Sequence, residues 1–303
     1  MAGKSFGETT GPDPPARPAP AAHRALYTPH PRMADSPSDR PSFDSLPMNL
    51  TPLPAFTDNY IWLLDDGQRA LAVDPGEADG VLNWLAAGRL TLDTILITHH
   101  HADHTGGVDA LRSATGARVI GPAFEPMPEP LQRVTGGEAL RALGVDFEVI
   151  DVPGHTSGHI AYFAPRAPDG PLLFCGDTLF SAGCGRLFEG TPGQMHESLQ
   201  RLAALPDETR VCCTHEYTLS NLRFALAVEP HNPDLQAHAR HCETLRATDR
   251  PTLPSHIALE RAINPFLRTT EPAVVQAAQT RDPAANDPVA VLGALREWKN
   301  NFR

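Results

Sequence analysis

Thr98-His99-His100-His101-Ala102-Asp103-His104-Thr105-Gly106-Gly107 follows directly on the apolar run Ile95-Leu96-Ile97. A short apolar run closed by polar residues and glycine reads as a buried strand running into a loop. Four potential ligands, His99, His101, Asp103 and His104, fall within six residues of that loop. Imidazole nitrogens and carboxylate oxygens suit zinc, iron and manganese alike. A loop can splay neighbouring side chains toward two points, which a regular strand or helix cannot do. Gly106 and Gly107 let the chain turn tightly into the helical pattern beyond, and His100 is expected to point away from its neighbours.

By itself this loop also fits a structural metal site or a solvated polar segment. The wider pattern favours a catalytic reading. Residues 60–64, 70–73, 94–98, 145–152, 160–163, 172–175 and 210–213 are short apolar runs bounded by turn signals such as Asp74-Pro75-Gly76. Helical spacing at 81–87, 108–113 and 195–204 separates some of them, which predicts an α/β arrangement. His155, Asp177 and His215 each lie just beyond a predicted strand end. Loops at one edge of a layered sheet are where residues distant in sequence assemble a site. After residue 213 no further strand is expected. Residues 219–228, 233–248, 272–279 and 288–300 read as helices, several with proline in the first turn, so a helical C-terminal domain follows.

Residues 1–47 hold ten of the 31 prolines and show no periodicity, reading as a disordered extension before a folded chain that starts at Met48. The 303-residue length and 41% hydrophobic content allow one or two domains. A formal charge of −11 argues against nucleic acid as a partner, because that affinity comes mainly from Lys and Arg displacing counterions. It leaves room for a local basic pocket and a small acidic substrate. No apolar run approaches the roughly 18 to 20 residues needed to cross a bilayer, so no membrane association is expected and the chain is placed in the cytoplasm. Five cysteines without a C-x-x-C pair suit reduced thiols, with Cys212 and Cys213 as packing. His159, His196, His231, His238, His241 and His256 have no comparable context and read as surface or core residues.

The seven candidate ligands resemble the signature of the metallo-β-lactamase superfamily, H-x-H-x-D-H followed by a His, an Asp and a His on later loops. The resemblance covers roughly residues 48–217. It implies an αβ/βα four-layer sandwich followed by a smaller all-helical domain. It also implies that His99, His101 and His155 hold one metal, that Asp103, His104 and His215 hold another, and that Asp177 bridges them. Zinc is the expected metal, with iron or manganese compatible. Two divalent cations about 3.5 to 4 Å apart can share a water, lower its pKa and polarise a carbonyl. Asp103 and Asp177 are the carboxylates expected to take part in catalysis, with Asp103 as a further candidate for orienting the nucleophile or accepting its proton.

Over nearly all of residues 48–303 the chain is similar to the glyoxalase II, or hydroxyacylglutathione hydrolase, family. The resemblance is carried by Thr57-Asp58-Asn59-Tyr60, by Gly183-Cys184-Gly185-Arg186-Leu187-Phe188-Glu189-Gly190, by His215-Glu216-Tyr217-Thr218 and by Arg296-Glu297-Trp298-Lys299. It implies a catalytic domain at 48–217, a glutathione-binding domain at 218–303, and glutathione contacts from Arg186, Tyr217, Arg296 and Lys299. Phe188 stands where some relatives carry tyrosine, and Arg186 where others have lysine. The implied reaction is hydrolysis of S-D-lactoylglutathione and similar S-2-hydroxyacylglutathiones to glutathione and D-lactate by a monomer, the second step of methylglyoxal detoxification. A thiolate leaving group with a pKa near 8.5 needs little help from a general acid, and no obvious acid stands out beyond the ligands. The rivals are a lactonase or β-lactamase of the same fold, although many β-lactamases carry cysteine where Asp177 stands. A single-iron persulfide dioxygenase would not explain a helical domain bearing Arg296 and Lys299. A non-catalytic metal-binding protein would show no chelator-sensitive turnover.

Overall fold

Seven consecutive buried residues, Asn59–Asp65, mark a strand covered on both faces, and their alternation shows what covers each side. Ile61 and Leu63 join one apolar cluster, while Tyr60, Trp62 and Leu64 join another. Ala70 and Ala72 alternate with Leu71 and Val73 in the same way, as do Ile95 and Ile97 with Leu96. A period of two that is apolar on both faces belongs to a sheet sandwiched between layers. Each large side chain withdrawn from water in this way contributes about 1.5 to 3 kcal/mol.

A computed structural model describes residues 48–302, so the expectation for residues 1–47 lies outside the described residues. The first sheet comprises β1 (Asn49–Ala55), β2 (Asn59–Asp65), β3 (Arg69–Val73), β4 (Thr91–Leu96), β5 (Arg118–Pro122) and β6 (Gln132–Val134), in that spatial order. Helix α1 (Asp79–Gly88) connects β3 to β4, and α2 (Ala102–Thr105) and α3 (Val108–Thr115) connect β4 to β5. Val81 and Leu85 of α1 and Val108 and Leu111 of α3 bury against one face of this sheet.

The second sheet begins with β7 (Ala139–Ala142), β8 (Val145–Asp151), β9 (Ile160–Ala164) and β10 (Leu172–Gly176). The chain then makes a small hairpin, β11 (Leu179–Phe180) with β12 (Gly183–Cys184), and the helix α4 (Pro192–Ala203) before rejoining the sheet as β13 (Arg210–Cys213). The start of α4 is set by a capping box between Thr191 and Gln194 with Pro192 in the first turn. Met195, Leu199 and Leu202 of α4 enter the cluster that lies between the sheets and over the second one. The expected layered sandwich is therefore present. The two sheets are also tied through the core, since Trp62 Nε1 donates to the Cys213 carbonyl at 2.9 Å and the Tyr162 hydroxyl donates to the Ile97 carbonyl at 2.9 Å.

Helices α5 (Thr218–Val228), α6 (Pro233–Arg246), α7 (Ile257–Ile263), α8 (Pro272–Gln279) and α9 (Pro288–Asn300) follow. Asn232 caps α6 through the Leu235 amide, and Asp287 caps α9 through the amides of Val289 and Ala290. One expectation is corrected here. Strands do not stop at Cys213, because β14 (Ser255–His256) pairs antiparallel with β13 and completes the order β14-β13-β10-β9-β8-β7. Two residues are too few to show a period, and this edge pairing is a tertiary decision. Phe224, Leu253, Ile257, Phe266, Leu292 and Leu295 join the core cluster of the sheets, so the helical segment is packed onto the sandwich.

Candidate active site

Strands β8 and β10 run the same way, each antiparallel to β9, and β13 is parallel to β10. Their C-terminal ends therefore share one edge, where His155, Asp177 and His215 are delivered. The loop after β4 reaches the same place. Ile160 N donates to the Thr98 carbonyl at 3.0 Å, Tyr60 N to the Thr214 carbonyl at 2.6 Å and Glu216 N to the Asp58 carbonyl at 2.8 Å. These bonds join loops of one sheet to the other at the ligand edge. Gly176 sits at φ +48°, and a Cβ there would meet Thr98 Oγ1 at 2.3 Å, so only glycine can precede Asp177 in this turn.

The seven predicted ligands converge. His101 Nδ1 lies 3.0 Å from both His99 Nε2 and His155 Nε2. His215 Nε2 lies 3.4 Å from Asp103 Oδ2, and His104 Nε2 lies 3.5 Å from the same oxygen. Asp177 faces both groups. Its Oδ2 is 3.4 Å from His155 Nε2, while its Oδ1 is 3.3 Å from His215 Nε2 and 3.5 Å from His104 Nε2. Donors set tetrahedrally around an ion at 2.0 to 2.1 Å stand about 3.4 Å apart, so this spacing fits a metal centre. Burial agrees. His104 Nε2 and Asp177 Oδ1 are out of contact with solvent and have no hydrogen-bond partner among the described residues, a costly state that a cation relieves.

The far sides of the imidazoles are held by groups that fix which nitrogen faces the cluster. His155 Nδ1 bonds the Arg186 carbonyl at 2.9 Å and His215 Nδ1 meets Asp58 Oδ1 at 2.8 Å, while His104 Nδ1 lies 3.1 Å from Asp74 Oδ2 without making a hydrogen bond to it. Asp74 also accepts from the Thr98 amide and hydroxyl, each at 2.7 Å. Such partners orient ligands and raise their basicity. Burial holds His99 well below the ordinary imidazole range and lowers His101 and His155, leaving them in the neutral form that binds metal. Around His215 the balance reverses. Burial disfavours its charged form, yet Asp177, Asp103 and Asp58 push it up to about 11. Burial would likewise raise the Asp177 carboxyl, but the facing His104, His215 and His155 outweigh it and hold it well below the carboxylate range. This half of the cluster demands positive charge.

Beside His155 and Asp177 opens a cavity of about 490 Å³ lined by Arg186, Phe188, Tyr217, Arg296 and Lys299. Tyr217 stacks on His215 with ring centroids 4.6 Å apart. Phe188 meets His155 and His101 edge-on at 5.2 and 5.5 Å. Arg296 is buried and donates from Nη1 to the Cys184 carbonyl at 2.7 Å, so part of its role is to hold the β12 turn. Lys299 Nζ donates to the Ser220 carbonyl at 3.0 Å. Burial, then Arg296, Arg223 and Arg186, brings the Lys299 amine down to about 8. Uncompensated cations around a cavity call for an anionic ligand.

The profile described as hydroxyacylglutathione hydrolase C-terminus matches residues 216–302, and that of the metallo-beta-lactamase superfamily matches residues 55–215. The chain is 64% identical over 255 residues to the hydroxyacylglutathione hydrolase of Albidiferax ferrireducens, covering 84% of this chain and all of that protein. It is 58% identical over 254 residues to the one from Ectopseudomonas mendocina, covering 82% and 98%. The chain belongs to the hydroxyacylglutathione hydrolase family. Solved structures related in fold include ETHE1 from Myxococcus xanthus (TM-score 0.56, 25% identity, 84% of this chain and 99% of that one). The BLEG-1 B3 metallo-beta-lactamase is another (TM-score 0.53, 24% identity, 73% and 99%).

In this hydroxyacylglutathione hydrolase, the seven residues singled out in the sequence lie together, and a further ring of polar side chains that the sequence did not single out stands behind them. Asp58 and Asp74 carried no visible role beyond a family segment and a turn signal. His159, read as surface or core, is fully buried, stacks on His99 at 4.5 Å and accepts from the Asp177 amide at 3.2 Å. Glu125 was not singled out. Its buried carboxylate accepts from His100 N at 2.6 Å, His100 Nδ1 at 2.7 Å, Gly158 N at 3.0 Å and the Thr156 hydroxyl. His100, expected to be solvated or to sit behind the ligands, turns Nδ1 to Glu125 while its ring meets His101 edge-on at 4.9 Å. No helix among the described residues is long and apolar enough to cross a membrane. All five cysteines are free and buried.

Proposed function

We propose that this chain hydrolyses S-D-lactoylglutathione and related S-2-hydroxyacylglutathiones, releasing glutathione and the 2-hydroxy acid, D-lactate from the lactoyl ester. The observation that carries the reading is the cation-lined cavity opening directly onto a His and Asp cluster at His155 and Asp177. We assign two divalent cations to the cluster, zinc first with iron or manganese as alternatives. His99, His101 and His155 would hold one, Asp103, His104 and His215 the other, and Asp177 both. When bound, the pair supplies a water acidic enough to attack near neutral pH and a Lewis acid for the thioester carbonyl.

The remaining work falls to the side chains. Arg186 and Lys299 hold carboxylates of the glutathionyl arm, with Arg296 shaping the wall behind them and Tyr217 and Phe188 flanking the sulfur. Asn59 Nδ2 donates to Asp103 Oδ2 at 3.1 Å, which leaves Asp103 placed to orient the attacking water or take its proton. Water oxygen bonds to the acyl carbon, the carbon–sulfur bond breaks, and the thiolate leaves without a dedicated acid. We further assign residues 48–217 to catalysis and 218–303 to substrate binding, in a monomer of the cytoplasm.

The test is steady-state hydrolysis of S-D-lactoylglutathione beside a glutathione-free thioester, with and without chelator, in the unaltered chain and in Arg186→Ala with Lys299→Ala. Chelator-sensitive turnover that prefers the glutathione ester, with KM raised tenfold or more in the double variant, is expected from losing charge-assisted bonds of about 1.5 to 3 kcal/mol each. Equal rates on both esters would sink the substrate assignment.

A further inference from the structure

Glu260 and Asn264 stand four residues apart at the C-terminal end of α7, so both project from one face of the helix. Both side chains are fully buried against the β11–β12 hairpin. Asn264 Nδ2 donates to the Phe180 carbonyl at 3.1 Å and the Gly183 carbonyl at 2.9 Å, and Glu260 Oε2 accepts from the Ala182 amide at 2.8 Å. Asn221 of α5 donates to the Ser181 carbonyl at 3.1 Å, and Arg296 of α9 donates to the Cys184 carbonyl. Each of the five residues 180–184 thus gives one backbone group to a buried side chain of the helical segment. Such groups are costly to withdraw from water, and burial pushes the Glu260 carboxyl up. Their bonds supply what apolar packing does not, because a matched polar network in the interior fixes one arrangement. Asn264 is matched on both atoms, since its Oδ1 accepts from the Phe266 amide at 3.1 Å.

The hairpin so held is continuous with the ligand cluster at both ends. Asp177 lies just before β11 and Arg186 just after β12. Beyond the hairpin the chain folds back onto the ligands. Gly185 N donates to the Thr178 carbonyl at 3.2 Å, and a Cβ on Gly185 would meet the Asp177 carbonyl oxygen at 1.9 Å and His155 Nδ1 at 3.1 Å. The next carbonyl, that of Arg186, is the one bonded to His155 Nδ1. A shift of the hairpin therefore moves two things together: Asp177, which faces both groups of ligands, and the group that orients His155.

We propose that Asn264, with Glu260 and Asn221, is a positioning residue of the metal centre. Through the hairpin backbone, these side chains of the helical segment hold Asp177 and the partner of His155 where a cation needs them. The proposal rests on the metal assignment above. The experiment is competition for zinc between a coloured chelator and the unaltered chain, Asn264→Ala, Asn221→Ala or Val81→Ala, with thermal unfolding of each in excess chelator. Val81 packs α1 against the first sheet, so its truncation reports lost stability alone. Zinc affinity is expected to weaken about tenfold in Asn264→Ala and at least about threefold in Asn221→Ala, which loses a single bond to the hairpin, and to stay unchanged in Val81→Ala. Should Asn264→Ala fail to fold, Asn221→Ala decides. Affinities of the folded hairpin variants within about twofold of Val81→Ala overturn the positioning role and leave the metal centre standing. Absence of zinc binding by the unaltered chain overturns the metal assignment and the positioning role together.

Discussion

Glu125→Gln separates a positioning role from a spectator one, because the buried carboxylate joins the His99 loop to the His155 loop from behind through four accepted hydrogen bonds. Oε2 accepts the His100 amide and ring N–H, and Oε1 accepts the Thr156 hydroxyl and the Gly158 amide. Glutamine keeps the shape but turns one acceptor into a donor. The least costly arrangement faces the new NH₂ toward Thr156, whose hydroxyl can rotate to accept, and leaves the Gly158 N–H unpaired. One orphaned donor costs about 1 to 3 kcal/mol, and the surviving bonds lose their charge assistance, so the total is about 2 to 4 kcal/mol. For a folded unit of this size that lowers Tm by roughly 5 to 15 °C. Loosening the two loops that carry five of the seven candidate ligands should also weaken metal retention by about 10- to 100-fold. Calorimetry and metal content after dialysis against a weak chelator measure both. A Tm within about 2 °C of the unaltered protein, with metal content unchanged, would refute the positioning argument.

Lys299, brought down to about 8 by burial and neighbouring arginines, is charged below that pH and neutral above it. kcat/KM for an anionic thioester should therefore fall as pH rises through about 8 with a slope of one proton, and Lys299→Arg should abolish that step; a step that survives in Lys299→Arg would assign it elsewhere. Trp62→Phe leaves the Cys213 carbonyl without its donor between the sheets. Urea denaturation should register a loss of about 1 to 3 kcal/mol, and no change in midpoint would mean the tie contributes nothing. Asp58→Asn keeps an acceptor for His215 but removes its charge, so competition titration should show about tenfold weaker metal binding, with equal affinity counting against the role given to Asp58.

The His and Asp cluster was legible because its residue pattern is local. His99, His101, Asp103 and His104 crowd one loop, and His155, Asp177 and His215 each follow a strand whose apolar run is visible in the sequence. The helices at 272–279 and 288–300 were legible to the residue, since a proline marks the first turn of each. Other features had no local signature. Glu125 is one glutamate in a proline-rich loop, and only folding shows that it accepts four donors from two ligand loops.

What the residues determined alone is therefore what covalent proximity and periodicity encode: the ligand types, their strand-end placement, the two-faced strands and the helical C-terminal segment. The tertiary structure alone decided which groups meet across the sandwich. It seated Asp74 behind His104, stacked His159 on His99, joined β14 to β13 and brought Asn264 onto the β11–β12 hairpin. Each of these contacts pairs residues that are distant in sequence or too few to show a period. Their partners are fixed by the close packing and hydrogen-bond demands of a buried interior, which no single segment carries.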